Sequence, residues 1–159
     1  MNRRNFLIGA VSAAAVASAR LHAADAAPPA VVKVVKTDAE WRKILTPQQY
    51  NVLREEGTEW PGSSPLNDEH RKGTFVCVAC ELPLFDARTK FDSGTGWPSF
   101  FEAKKGAVEG KVDHKLVYPR DEYHCARCGG HQGHVFDDGP KPTGLRYCNN
   151  GVALKFVPA

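Results

Sequence analysis

Five cysteines carry most of the chemistry open to this sequence. Four come as two pairs, Cys77-Val78-Ala79-Cys80 and Cys125-Ala126-Arg127-Cys128. Each pair sets two thiolates at the tip of a tight turn. Four such sulfurs close a tetrahedral Zn²⁺ shell and leave no position for a reactant, the pattern of a structural metal. The 44 residues from Glu81 to His124 are more than a minimal zinc ribbon needs, so the ion would clamp distant segments of one domain. Two disulfides are the rival reading for an exported chain. A pair of thioredoxin-like redox motifs is a third, but no βαβ pattern flanks either pair.

Cys148 is the cysteine left over, and an odd thiol in a secreted chain points to a reactive group or an intermolecular bridge. A buried, inert cysteine would want apolar neighbours. In Gly144-Leu145-Arg146-Tyr147-Cys148-Asn149-Asn150-Gly151 a strand would instead put Arg146, Cys148 and Asn150 on one face. The guanidinium favours thiolate, and the amide can hydrogen-bond a substrate. Gly94-Thr95-Gly96-Trp97-Pro98-Ser99-Phe100 adds an indole on a glycine-rich loop. It could wall a small apolar group or simply anchor the loop. Gly130-His131-Gln132-Gly133-His134-Val135-Phe136 brings two imidazoles just after the second cysteine pair. With four thiolates closing a metal shell, these are left for acid–base work or ordered hydrogen bonding, with a purely structural role open to one of the two.

Those groups need elements to hold them. Thr37-Asp38-Ala39-Glu40 is a capping box leading into Trp41, Ile44 and Leu45 at helical spacing. Thr46-Pro47-Gln48-Gln49 repeats the pattern with proline at the first helical position. Tyr50 and Leu53 give this second helix an apolar face, and Gly57 is expected to stop it. From Gly73 onward, runs such as Thr74–Val76, Lys115–Tyr118 and Val152–Val157 are β-like, with glycine and proline between them. The expected fold is mainly β: antiparallel sheets with short N-terminal helices, in one zinc-stapled domain.

The first residues read as an address. Arg3-Arg4 precede an apolar stretch from Phe6 to Ala19, followed by Ala-x-Ala sites at Ala17–Ala19 and Ala24–Ala26. The stretch falls short of the ~20 residues of a stable membrane span. It predicts a cleaved twin-arginine signal over 1–26, a linker over 27–36, a domain over 37–159 and a periplasmic destination. Such a pathway moves folded proteins, which allows metal to be loaded beforehand in a reducing cytoplasm. The leader carries +2 of the chain's formal +3, so the remainder holds no basic excess suited to nucleic acid or anionic lipid. With 159 residues, 42% hydrophobic and 25% charged, one soluble globular domain is the expectation.

In order and spacing, the two cysteine pairs, Gly-x-Gly-Trp-Pro-Ser-Phe, His-x-Gly-His-Val-Phe and Arg-Tyr-Cys-x-Asn resemble the methionine-R-sulfoxide reductase B family over about Thr37 to Pro158. The resemblance implies reduction of methionine-R-sulfoxide in oxidised proteins. Cys148 would be the nucleophile that becomes a sulfenic acid, and Trp97 the cradle for the substrate's ε-methyl group. His131, His134 and Asn150 would order water and supply a proton, and Arg146 would favour the thiolate. Thr58 and Phe136 would line the pocket. The family's zinc ligands map to Cys77, Cys80, Cys125 and Cys128. A thioredoxin-like or other thiol reductant would be the partner. Thr95 stands where many relatives carry a resolving cysteine, so an external thiol would have to act on Cys148 directly. Gln132 and Asn149 fall at variable positions of their motifs. The alternatives to an enzyme are a zinc-stapled binding module without catalysis and a disulfide-rich interaction domain.

Overall fold

The computed structural model describes residues 30–113 and 120–159. The expected signal, the start of the linker and the strand anticipated at Lys115–Tyr118 lie outside the described residues. Helix α1 (Asp38–Ile44) opens on the anticipated capping box, with Thr37 and Glu40 satisfying each other's backbone N–H groups. Helix α2 (Pro47–Glu55) does the same through Thr46 and Gln49. Glu56, not Gly57, adopts the left-handed conformation that ends α2, at φ 54°. A Cβ at Gly57 would fall 2.0 Å from Asn51 Oδ1, so any larger residue there would have to displace the Asn51 side chain. The helices bury Trp41, Tyr50, Val52 and Leu53 against the β domain, each side chain contributing about 1.5–3 kcal/mol by leaving water.

Among the described residues nine strands follow: β1 (Gly73–Cys77), β2 (Pro83–Asp86), β3 (Lys90–Phe91), β4 (Ser99–Phe100), β5 (Val108–Asp113), β6 (Arg120–Cys125), β7 (His131–Phe136), β8 (Arg146–Asn149) and β9 (Leu154–Pro158). They form a three-stranded sheet ordered β2-β1-β9 and a six-stranded sheet ordered β3-β4-β8-β7-β6-β5. Every pairing is antiparallel. The run expected from Val152 begins as strand only at Leu154, because Gly151–Ala153 makes a turn of 3₁₀-helix first.

Aromatic rings join the sheets. Phe85 on β2 stacks on Phe100 of β4 at 4.2 Å between centroids, and Phe75 on β1 meets Phe100 edge-on at 4.9 Å. Offset stacking and edge contacts suit the ring quadrupoles and add ~0.5–1.5 kcal/mol per pair beyond burial. Part of the expected linker is also tied down: Val34 N–H donates to Arg127 O at 2.7 Å, and Val31 and Val34 pack against the core. No helix among the described residues is long and apolar enough to cross a membrane.

Candidate active site

Cys148 lies in the middle strand register of the large sheet. Its partners are Ser99 on β4 and His134 on β7. The β7–β8 approach is close: a Cβ on Gly133 would lie 1.9 Å from the Cys148 carbonyl oxygen, so only glycine fits. Above Cys148 opens a cavity of about 120 Å³ whose walls include Thr58, Trp97, His134, Phe136 and Asn150. Nucleotide- and drug-sized ligands occupy ~300–1,000 Å³. This one is the size of a single side chain.

The walls are fixed by long-range bonds. Trp97 Nε1 donates to Glu59 O at 3.2 Å. Its loop turns at Gly94 (φ 69°) and Gly96 (φ 87°), and a Cβ on Gly96 would meet Gly62 N at 2.8 Å. Glu59 N–H donates to Asn150 Oδ1 at 3.0 Å, and its buried carboxylate accepts from Gly151 N at 2.5 Å and Val152 N at 3.0 Å. Burial pushes the Glu59 carboxyl above its ordinary range, while the two N–H groups pull it back. Asn150 lies beyond the end of β8, not on it as the alternation predicted, yet it faces the same cavity. Its backbone N–H and Nδ2 both donate to Gln132 O, at 2.8 and 3.0 Å.

Arg146 and His131 stand one layer back, since neither lines this cavity. Arg146 forks onto Asp138, with Nε–Oδ1 2.7 Å and Nη2–Oδ2 2.8 Å, and lies over the Phe136 ring at 4.2 Å. Burial raises the Cys148 thiol; the Arg146 charge and hydrogen bonds from Thr95 and Arg146 pull it down. The Thr95 hydroxyl is held by Ser93 Oγ at 2.8 Å, which also lies 2.8 Å from Ser99 Oγ. His131 is 1% exposed; its Nδ1 sits 2.5 Å from Glu122 Oε1 and its ring 5.5 Å from that of His134. Burial pushes the His131 imidazole toward its neutral form.

The other four cysteines come together where β1 and β6 end. Cys77 and Cys128 sulfurs are 3.7 Å apart, Cys80 and Cys125 sulfurs 3.4 Å, and all four lie within 4.8 Å of one another. Tetrahedral Zn–S bonds of ~2.3 Å put sulfurs about 3.8 Å apart, so the set fits a metal ion. No disulfide joins any of the four. Crowding divides them: hydrogen bonding with Cys125 holds Cys77 up, while Cys128 and Cys77 pull Cys125 down. A dication would let all four ionise together.

The SelR domain family matches residues 45–158. A peptide methionine sulfoxide reductase MsrB of Agrobacterium fabrum is 55% identical over 127 residues, covering 79% of this chain and 94% of the relative. The proteins of that name from Leptospira interrogans and Methanosarcina barkeri are 50% and 52% identical, covering 78% and 77% of this chain and 95% and 87% of their own lengths. The chain belongs to the SelR family.

Within this SelR domain four further residues, Glu59, Glu122, Gln132 and Asn149, brace the predicted site residues. Glu59 and Glu122 belong to none of the motifs that point to chemistry, and Gln132 and Asn149 fall at variable motif positions. Both amides are fully buried. Asn149 Oδ1 accepts from Tyr123 Oη at 2.7 Å, and Gln132 Nε2 reaches Cys77 Sγ at 3.6 Å. Glu122 and His124 sit two apart on β6, hence on one face. That spacing, facing the histidines of β7 across a hairpin, was the available signal.

Proposed function

We propose that the chain reduces methionine-R-sulfoxide in oxidised polypeptides to methionine, with Cys148 as nucleophile. Membership of a family of methionine sulfoxide reductases makes it an oxidoreductase. The observation that carries the finer reading is the side-chain-sized cavity over Cys148, with Trp97 on one wall. The Trp97 indole would hold the ε-methyl group and so select one sulfur epimer. The thiolate attacks the sulfoxide sulfur, and oxygen passes to Cys148 as the S–O bond to methionine breaks. The substrate sulfur gains two electrons, Cys148 loses two, and the proton given up by the thiol returns on the oxygen as a sulfenic acid. His134 and Asn150 border that oxygen's space, with His131 behind them. Arg146 and Thr95 favour the thiolate.

A small external thiol or a thioredoxin-like dithiol then attacks the sulfenic sulfur, releasing water, and a second thiol frees Cys148. The four remaining cysteines are engaged with one another, and position 95 is a threonine. The four clustered cysteines would hold a structural zinc, which supplies folding energy and no open coordination site. The Arg3-Arg4 leader would send the folded protein to the periplasm; an Arg3→Lys, Arg4→Lys chain found there in normal amounts sinks that assignment.

The test is an assay on both epimers of a peptide methionine sulfoxide with dithiothreitol, paired with a sulfenic-acid trap after one turnover without reductant. Reduction of the R epimer alone and an adduct on Cys148 are expected. Equal rates on both epimers would refute the Trp97 cradle. A disulfide from Cys148 to the cluster would refute the external-thiol cycle.

A further inference from the structure

Among the described residues, the buried side-chain nitrogen left without a hydrogen-bond partner is Nε2 of His131. A buried polar group left unmatched has lost its hydration without replacement, so the bare nitrogen calls for an explanation. On the other side of the same ring, Nδ1 lies 2.5 Å from Glu122 Oε1. A carboxylate oxygen accepts, so the nitrogen facing it carries the proton and the far one keeps a bare lone pair. Glu122 is 2% exposed, and His124 Nε2 lies 2.9 Å from the same oxygen. The carboxylate is thus approached from two sides on β6, a strand paired on both edges, whose register sets Glu122 against His134. His134 is a wall of the Cys148 cavity, and its ring is 5.5 Å from that of His131.

We propose that Glu122 is a positioning residue for this reaction. By holding the Nδ1–H of His131 it fixes the tautomer and ring orientation, and it leaves Nε2 as a waiting proton acceptor on a ring 5.5 Å from that of His134. The inference rests on the reductase reading above, where a use for that acceptor exists. The thiol proton of Cys148 must leave before attack and return to the transferred oxygen afterwards. A basic nitrogen one ring behind the cavity wall can hold it in between, reached through His134 or a water. The negative carboxylate across the ring offsets the charge that the imidazole then bears. This arrangement repeats a familiar economy, in which the hydrogen bond at one ring nitrogen decides what the other can do.

The experiment has a spectroscopic and a kinetic arm. Nitrogen-15 NMR of His131 in the wild-type protein should show a protonated Nδ1 and a bare Nε2. The opposite tautomer overturns the proposal whatever the activity. In Glu122→Gln, whose amide can donate as well as accept, the two tautomers should mix. Its kcat should fall roughly 10- to 100-fold, part of the ~10²–10⁴ that a placed acid–base group supplies, with KM kept within about twofold. Placed in a His131→Asn background, the same substitution should cost nothing further, because its effect runs through the ring. Additive losses would mean a merely structural glutamate and would overturn the assignment. The donor atoms of Glu122, His124 and His131 also lie within 4.8 Å of one another. A second zinc per chain, lost in His124→Gln, would make the cluster a metal site and overturn it too. A wild type inactive on both epimers would fail the reductase reading alone, since the tautomer arm needs no turnover.

Discussion

The chain keeps its cysteines in two settings about which the same element behaves in opposite ways. At the junction of β1 and β6 four thiols face one another, each the neighbour of three others, with Gln132 Nε2 close to Cys77. On β8 one thiol faces a hydroxyl, a guanidinium and an open cavity. In the first setting the sulfurs are one another's partners, and a cation is the simplest way to satisfy them together. In the second the sulfur has charge support but no sulfur partner, and room for a reactant. Reactivity here is a property of company rather than of the residue: burial raises the Cys148 thiol, and it is Arg146 and Thr95 that offset this.

The sharpest way to break the contrast is to remove one sulfur from each side. Cys148→Ser should abolish reduction, by at least ~10³-fold, since a hydroxyl is far less nucleophilic than a thiolate. Metal content and thermal midpoint should stay at wild-type values. An active serine variant would end the nucleophile assignment. Cys77→Ser should do the reverse: it should lose the metal and several kcal/mol of stability, in line with binding energy that is also folding energy. Metal analysis with a thermal melt decides this, and a Cys77→Ser protein that melts like wild type would mean the cluster is not a staple.

A smaller effect sharpens the second setting. Arg146→Leu removes two influences that lower the Cys148 thiol, and it frees Asp138, whose charge raises it. All three changes act in one direction, so the thiol pKa rises. Less thiolate is then present at neutral pH, and the pH–rate curve should move to higher pH. Adding Asp138→Asn should return part of it. An unchanged curve in Arg146→Leu would show that the guanidinium does not act on the sulfur.

What the sequence disclosed follows the range of the interactions. Thr37 with Glu40 and Thr46 with Gln49 are three residues apart, and both capping boxes formed as read. The cysteine pairs announced their cluster because each half is local and the chemistry of four sulfurs is restrictive. Glu59 gave no such signal: it meets Asn150, Gly151 and Val152 across more than 90 residues. Strand alternation placed Asn150 on the face of Cys148, but β8 stops at Asn149. The amide reaches the cavity through Glu59 and Gln132 instead. Gln132 and Asn149 looked replaceable because an amide's worth depends on what lies opposite, and register supplies that.

Gln132 also ties the two settings to each other. Its side chain touches Cys77 of the cluster, and its carbonyl oxygen holds both nitrogens of Asn150 at the cavity wall. A metal that ordered Cys77 would therefore order the wall, and thermodynamic reciprocity would run the other way with equal strength. An occupied cavity should slow the escape of the proposed zinc, so that a reductase busy with damaged protein is also the one best defended against metal starvation.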